Sequence, residues 1–436
     1  MRRERGRCRR SAQWTRRPGP HRITFDHPRR HAMTRKYQAP LLAPFLLALA
    51  GVAQAQISDN VVRIGVMGDQ TGPYSGNGGP GQVLAVRMAV EDFGGKVNGK
   101  PIEVVVADDQ NKPDVGTNIA REWIERDKVD TIITNSTSAI ALSVSTMMKQ
   151  HGKPYLIAGT TSADLTGKAC SPMNMQFLLD TYAMPKATVQ SLMKQGIKSF
   201  FFITVDYAFG AALQGEATKF IEAAGGKVAG AVKHPLGTTD FSSYLLQAQA
   251  SKAQAVVLLS AGADLTNALK QANEYRLAKG GQLVTTTGAT INAIGAMGLD
   301  VAQGLQINTP FYWDRDNESR AWAKRFIERN KGVLPTYIMA GSYSAALHYL
   351  KAVQAAGTDE GKAVVAKMKA LPINDFEMKN VSIREDGQVM RPVYTVQVKT
   401  PAESKAKNDL YVIKSEMAPD QVYRPLAENT CDFLKK

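Results

Sequence analysis

Apolar and polar positions along this chain fall into blocks of two lengths. Short apolar runs rich in β-branched residues occur at 61–67, 102–107, 131–134, 155–158, 200–205, 255–260 and 283–286. Longer stretches with apolar residues at helical spacing lie between them, at 81–93, 115–127, 139–150, 183–195, 208–224 and 265–275. Short strands alternating with amphipathic helices predict βαβ units around parallel sheets. The strands are apolar throughout, which predicts helices on both faces of each sheet. One unit reads completely: a strand at 198–205, a turn at Asp206-Tyr-Ala-Phe-Gly210, a helix stopped by Gly225-Gly226, and a new strand from Lys227. Later, 319–331 and 343–356 predict longer helices, and 391–398 alternates like an antiparallel strand.

The first 55 residues break this pattern. Residues 41–53 are apolar but too short to span a membrane, which takes about 20 residues. Arg35 and Lys36 precede them, and Ala53-Gln-Ala55 follows as a small-residue cleavage site. These three parts predict a secretory signal peptide over 33–55, cleaved near Ala55, so that the mature chain starts at Gln56 in the periplasm. No cysteine follows the apolar run, so no lipid anchor is expected there. Residues 1–32 read as a mis-assigned upstream start, with Met33 as the natural one; an extended or twin-arginine leader around Arg29-Arg30 is the alternative.

Charge follows from this division. The formal +15 includes +11 before Gln56: eleven arginines against Glu4 and Asp26, then Arg35 and Lys36. The remaining +4 is a mild excess, so the high pI is poor evidence for nucleic-acid binding and no nucleic-acid partner is expected. About 380 mature residues exceed what one core usually serves, so two domains are expected.

Catalytic patterns are scarce. The mature chain keeps His151, His234 and His348, none in metal-binding spacing. It has no P-loop and no nucleophile elbow. Neither a catalytic residue, a metal nor a cofactor is expected; a secreted enzyme using Asp108, Asp109 and Asp206 is the weaker alternative. Asp108-Asp109 reads as a solvated strand end. Gly76-Asn-Gly-Gly-Pro-Gly81 fits G-x-G-x-x-G, but a dinucleotide loop starts immediately after its strand. Here Gly68 to Ser75 intervene and Pro80 sits where a helix should already run, so the match reads as accidental. Cys170 and Cys431 are an even pair in an oxidising compartment, which predicts a disulfide; two unpaired buried thiols are the alternative. Small polar residues are abundant at strand ends: Thr134-Asn-Ser-Thr-Ser-Ala139, Gly159-Thr-Thr-Ser162, Ser260-Ala-Gly-Ala-Asp264 and Thr285-Thr-Thr-Gly-Ala-Thr290. Each could be simple helix capping. Together they fit a ligand cleft beyond the carboxyl ends of the strands.

At these loops, from about Val62 to Arg424, the chain resembles the periplasmic solute-binding proteins of ABC importers, of the branched-chain amino-acid type. The resemblance rests on Arg63-Ile-Gly-Val66, Thr71-Gly-Pro-Tyr-Ser75, Ser138, Gly159-Thr-Thr-Ser-Ala-Asp-Leu-Thr-Gly167, Asp206-Tyr-Ala-Phe-Gly210 and Phe241-Ser-Ser-Tyr244. It implies the type I periplasmic binding fold: two doubly wound α/β lobes joined by a three-segment hinge, with the ligand cleft between them. Lobe 1 would comprise 57–180 and 314–390, and lobe 2 would comprise 181–313 and 391–436. It implies that Thr137, Ser138, Ala139, Gly159, Thr160 and Thr161 hold the ligand carboxylate. Tyr74 and Asn77 would pack on the ligand body. Tyr207, Phe209, Ala261, Gly262 and Ala289 would close the cleft from the second lobe. A monomer that delivers its ligand to a membrane permease and ATPase is expected, with a ligand sensor for a membrane receptor as the other role.

The chain departs from that pattern at Thr287-Gly-Ala-Thr290, where an acid usually pairs with the ligand's ammonium. Asp264 lies nearby, on its helix's first turn, where stabilising the helix start is the simple reading. The expected ligand is therefore a small carboxylate without an α-amino group, organic or aromatic. A branched-chain amino acid is the alternative.

Overall fold

Among the described residues, three sheets carry the fold. The structure is a computed structural model describing residues 56–435; the expectations for 1–32, 33–55 and the cleavage site lie outside the described residues. The first sheet runs Lys96–Val97, Lys100–Asp108, Val62–Gly68, Thr131–Asn135, Tyr155–Ile157, Asn174–Gln176, and is parallel except for its short hairpin strand. The second, fully parallel, runs Leu283–Thr286, Ala255–Leu259, Ser199–Val205, Lys227–His234. Gln306–Thr309, Val393–Val398 and Tyr411–Met417 form a small antiparallel sheet. Among the described residues no helix is long and apolar enough to cross a membrane.

The period of two along each strand explains the continuous apolar runs. Val62, Ile64, Val66, Ile133 and Leu156 pack into one core, beneath the Gly79–Phe93 and Tyr337–Ala356 helices. Met67, Ile132, Tyr155 and Ile157 point the other way into a second core with Trp123 and Val144. The second sheet repeats this, with Phe201, Ile203, Val256 and Leu258 on one face and Phe200, Phe202, Val257 and Leu259 on the other. Successive side chains on a strand face opposite sides, so a sheet covered twice needs both sets apolar.

Helix ends differ from expectation where capping decides them. The helix expected at 343–356 starts at Tyr337, because the Thr336 hydroxyl accepts the Met339 N–H. The helix after the glycine-rich stretch starts at Gly79 and tolerates Pro80 in its first turn, where a proline loses no hydrogen bond. Asp109 is not solvated: it is fully buried, burial pushes its carboxyl up, and it accepts the Asn111 N–H. Asp108 keeps partial exposure and takes the Thr71 hydroxyl at 2.8 Å. Asn174–Gln176, Ser242–Ala250, Ile291–Met297 and Gly361–Ala370 are additional elements.

Cys170 and Cys431 form a disulfide, which replaces the free-thiol alternative. It ties the C-terminal segment to a loop 261 residues earlier. Cross-links of this kind typically add about 2–4 kcal/mol by constraining the unfolded chain.

One buried acid gives a pH signature. Asp130 is 4% exposed, accepts the Arg63 N–H at 2.8 Å and sits 3.5 Å from Lys153 Nζ. Burial pushes its carboxyl up to about 6. A raised acid binds its proton more tightly in the folded state, so its contribution is full in acid and fades as pH rises through about 6. The loss is on the order of 2–3 kcal/mol. Thermal unfolding of Asp130→Asn should therefore gain on the wild type between about pH 4 and pH 7; a gap that does not change with pH would refute this.

Candidate functional site

Each large sheet has a central strand whose two neighbours are reached by connections in opposite directions. Val62–Gly68 lies between Lys100–Asp108 and Thr131–Asn135. Ser199–Val205 lies between Lys227–His234 and Ala255–Leu259. Loops diverge at such a point and leave a crevice beyond the carboxyl ends of the strands. Residues from both crevices line one cavity of about 60 Å³. The first sheet supplies Thr137, Ser138, Gly159, Thr160 and Thr161, with Tyr74 and Asn77 from the loop after Gly68. The second supplies Tyr207, Phe209 and Ala261. A larger groove of about 590 Å³, beside the Leu283–Thr286 edge, holds none of the expected site residues.

The loops are braced from behind. The buried Asp69 carboxylate accepts the N–H groups of Thr71, Gly72 and Tyr74, so the loop curls around it and turns Tyr74 toward the cavity. Thr160 Oγ1 donates to the Ser136 carbonyl at 2.5 Å and accepts the Ser136 N–H at 3.2 Å. The two strand-end loops of the first sheet are thus joined.

The start of the Ser138–Gln150 helix is left open. Thr137 occupies its N-cap without a side-chain capping bond, and the first intrahelical bond runs from Ala141 N to Thr137 O. The N–H groups of Ser138, Ala139 and Ile140 therefore have no partner within the helix. Thr290, Asp316, Thr336 and Glu360 close four other helix starts with their side chains, whereas the Ala208–Ala223 and Gly262–Glu274 helices, whose N-caps Tyr207 and Ala261 also line the cavity, are likewise without a side-chain cap. An uncapped helix start with neighbouring hydroxyls is a ready acceptor site for an anion.

The two sides of the cavity touch. Tyr74 and Tyr207 hydroxyls are 3.2 Å apart, and Ala263 N–H donates to Pro73 O at 3.1 Å. Gly262 has φ +60° and lies against this loop; a Cβ there would meet Tyr74 Cδ1 at 2.5 Å and the Pro73 carbonyl at 2.6 Å. Burial holds both phenols above their ordinary range, so they stay neutral. No lining residue is an acid, a lysine, an arginine or a histidine. Asp264 is 1% exposed, its carboxylate accepting the Gly237 N–H at 3.0 Å and lying 4.0 Å from His234 Nδ1. Burial pushes Asp264 up and His234 down. Its side chain does not cap its own helix, whose N-cap is Ala261, and it does not line the cavity.

Three expected residues are placed differently. Ala139 is exposed and offers the cavity no side chain, although its backbone N–H belongs to the open helix start. Gly262 lines an adjoining groove with Pro73 and Asn77. Ala289 is 3% exposed in the core of the second sheet, and Gly288 lines the cavity instead. Met184, Tyr337 and Ile338 complete the wall from two further helix starts, together with Asn135 and Ser136. The Pro335-Thr336 pair before an apolar run was a usable signal for the start that carries Tyr337.

Truncating Tyr74 removes both a wall and the contact to Tyr207. Tyr74→Ala should weaken ligand binding by roughly 10- to 100-fold with a cooperative unfolding transition retained. Unchanged affinity in calorimetry would remove Tyr74 from the site.

Comparison with known proteins agrees with this fold. The family model described as periplasmic binding protein matches residues 61–407. A periplasmic binding protein from Burkholderia mallei is 42% identical, over 85% of this chain and 98% of its own, with a TM-score of 0.83. A branched chain amino acid ABC transporter periplasmic ligand-binding protein from Burkholderia xenovorans LB400 is 38% identical, over 85% and 99%, with a TM-score of 0.76. A solute binding protein of an ABC transporter from Rhodopseudomonas palustris BisB5, in complex with 3,4-dihydroxybenzoic acid, shares the fold at 22% identity, over 85% and 100%, with a TM-score of 0.76.

Proposed function

The chain belongs to the periplasmic binding protein family, and on that premise we propose that it captures a small carboxylate lacking an α-amino group. The ligand, an organic or aromatic acid, is held between two closing lobes and delivered to an ABC permease and its ATPase. The observation that carries this reading is the wholly uncharged cavity wall around an open helix start. A carboxylate finds N–H groups and hydroxyls there. An ammonium finds no carboxylate, and burying an unpaired cation is costly. Asp264, the acid that could have served, is turned onto Gly237 and His234.

The lobes in this reading are 57–180 with 314–390, and 181–313 with 391–436. One core drawing on Ile57 to Phe177 and Phe311 to Val389 supports the first. The Tyr74–Tyr207 and Ala263–Pro73 contacts are then what closure makes. The resemblance to the Burkholderia xenovorans protein favours a branched-chain amino acid as the second reading.

A thermal-shift screen of small acids and amino acids tests the proposal. A ligand at 100 times its Kd stabilises by about 2.7 kcal/mol, which such a screen detects. Shifts from acids without an amino group support it. Shifts confined to leucine, isoleucine or valine would replace it by the second reading.

A further inference from the structure

We propose that Tyr337 is a specificity residue, whose hydroxyl selects ligands carrying an oxygen, as hydroxyl or carbonyl, at the end remote from the carboxylate. This rests on the carboxylate reading of the same cavity. Three phenols line that cavity: Tyr74, Tyr207 and Tyr337. The first two are hydrogen-bonded to each other. The Tyr337 hydroxyl has no hydrogen-bond partner among the described residues, and burial alone pushes it up to about 12, so it stays a neutral donor. It is also within reach. The unpartnered hydroxyls of Tyr155, Tyr312, Tyr349, Tyr411 and Tyr423 are sealed from solvent, and none of those residues lines the cavity. Tyr337 is half-buried, and its hydroxyl is not sealed.

The place of this phenol decides which end of a ligand it meets. The Thr336 hydroxyl accepts the Met339 N–H and donates to the Asn77 carbonyl at 2.5 Å, which anchors the helix start carrying Tyr337 to the loop carrying Tyr74. The Tyr337 hydroxyl lies beside Gly288, another lining residue: a Cβ there would sit 4.0 Å from it and 2.7 Å from Met184 Cε. Gly288 follows Leu283–Thr286, which stands two strands from Ser199–Val205, with Ala255–Leu259 between them. Neighbouring strands are about 4.8 Å apart, so the Gly288 loop lies roughly 10 Å along the sheet from the Tyr207 loop. The Ser138–Gln150 helix, whose open start is the proposed carboxylate place, packs against the Ala208–Ala223 helix that follows the Tyr207 loop. A carboxylate held there leaves Tyr337 to the other end of the ligand. A hydrocarbon end that covers the phenol takes away its water, whereas an oxygen on the ligand replaces that bond.

The test is calorimetry on the full mature chain with acids that differ in one oxygen: benzoate against 2-, 3- and 4-hydroxybenzoate, and pentanoate against 4-oxopentanoate. At least one acid with its oxygen remote from the carboxylate should bind roughly ten-fold or more tightly than its parent, and 2-hydroxybenzoate should not. Tyr337→Phe removes the hydroxyl and keeps the ring, so the fold loses no hydrogen bond and thermal unfolding without ligand should not become easier. In that variant the gap should shrink to about three-fold or less, while the parent's affinity changes little. Parents that bind the wild type as tightly as every remote-oxygen partner would overturn the inference without any variant, and leave the carboxylate reading standing. A gap that persists in Tyr337→Phe would also overturn it. No response to any of these acids would overturn the carboxylate reading, and this inference with it.

Discussion

Ser138→Asp should abolish binding of the carboxylate ligand while retaining a cooperative unfolding transition. The substitution puts an acid at the first position of the Ser138–Gln150 helix, where no side chain caps the N–H groups. A carboxylate near an exposed helix N-terminus stabilises by about 0.3–1 kcal/mol; Ser138 is 4% exposed, so that gain offsets only part of the cost of burying the charge. The same charge occupies the place proposed for the ligand's carboxylate and repels it. Like charges juxtaposed in an interface cost several kcal/mol, and affinity should fall by at least roughly 100-fold. Ser138→Ala removes one hydroxyl and keeps the N–H groups, so its loss should stay near ten-fold. Calorimetry and thermal unfolding on the same samples separate the two effects. Affinity of Ser138→Asp within a few-fold of wild type would place the carboxylate elsewhere.

Arg391→Ala carries the largest expected cost in stability. Arg391 is 1% exposed, its guanidinium paired with the buried carboxylate of Glu377 and donating to the carbonyls of Phe177 and Pro310. Glu377 in turn accepts the Ser344 hydroxyl at 3.0 Å. Phe177, Pro310 and Arg391 lie within a few residues of the three proposed hinge crossings, so one side chain joins all three. Removing it leaves Glu377 buried without its cation, which typically costs about 3–5 kcal/mol. Burial already pushes Glu377 up, against the pull of Arg391. Without Arg391 it should rise further, so the variant's deficit should shrink in acid, where Glu377 is protonated, and grow as pH rises. The pair Arg391→Met with Glu377→Gln should recover much of the loss, because no buried charge remains. Urea unfolding at about pH 5 and pH 8 reads both effects. A deficit that is small at both values, or unrelieved in the double variant, would contradict this role.

The sequence made the strands and the strand-end loops legible because the rules there are local. A doubly covered sheet needs apolar residues on both faces, so Val62 to Met67 and Phe200 to Val205 stand out. Small polar residues at Thr137, Ser138 and Thr161 marked the cavity. Tyr337, Ile338 and Met184 were hidden because they reach the cavity by tertiary packing from helices that read as ordinary. Ala289 and Gly288 are neighbours, and only the fold decides which faces inward. Asp109 misled because an acid at a strand end usually meets water, whereas here it is buried and accepts the Asn111 N–H; Asp264 sits in its helix's first turn as read, but its carboxylate is turned onto Gly237 and His234.

The most direct test of the central claim is a calorimetric titration with ligands that differ only in the ammonium group: leucine against 4-methylpentanoate, and phenylalanine against 3-phenylpropanoate. A cavity with an open helix start and no carboxylate should bind the amino-free member of the better pair at least roughly ten-fold more tightly. Tighter binding of leucine or phenylalanine than of its amino-free counterpart would contradict the account.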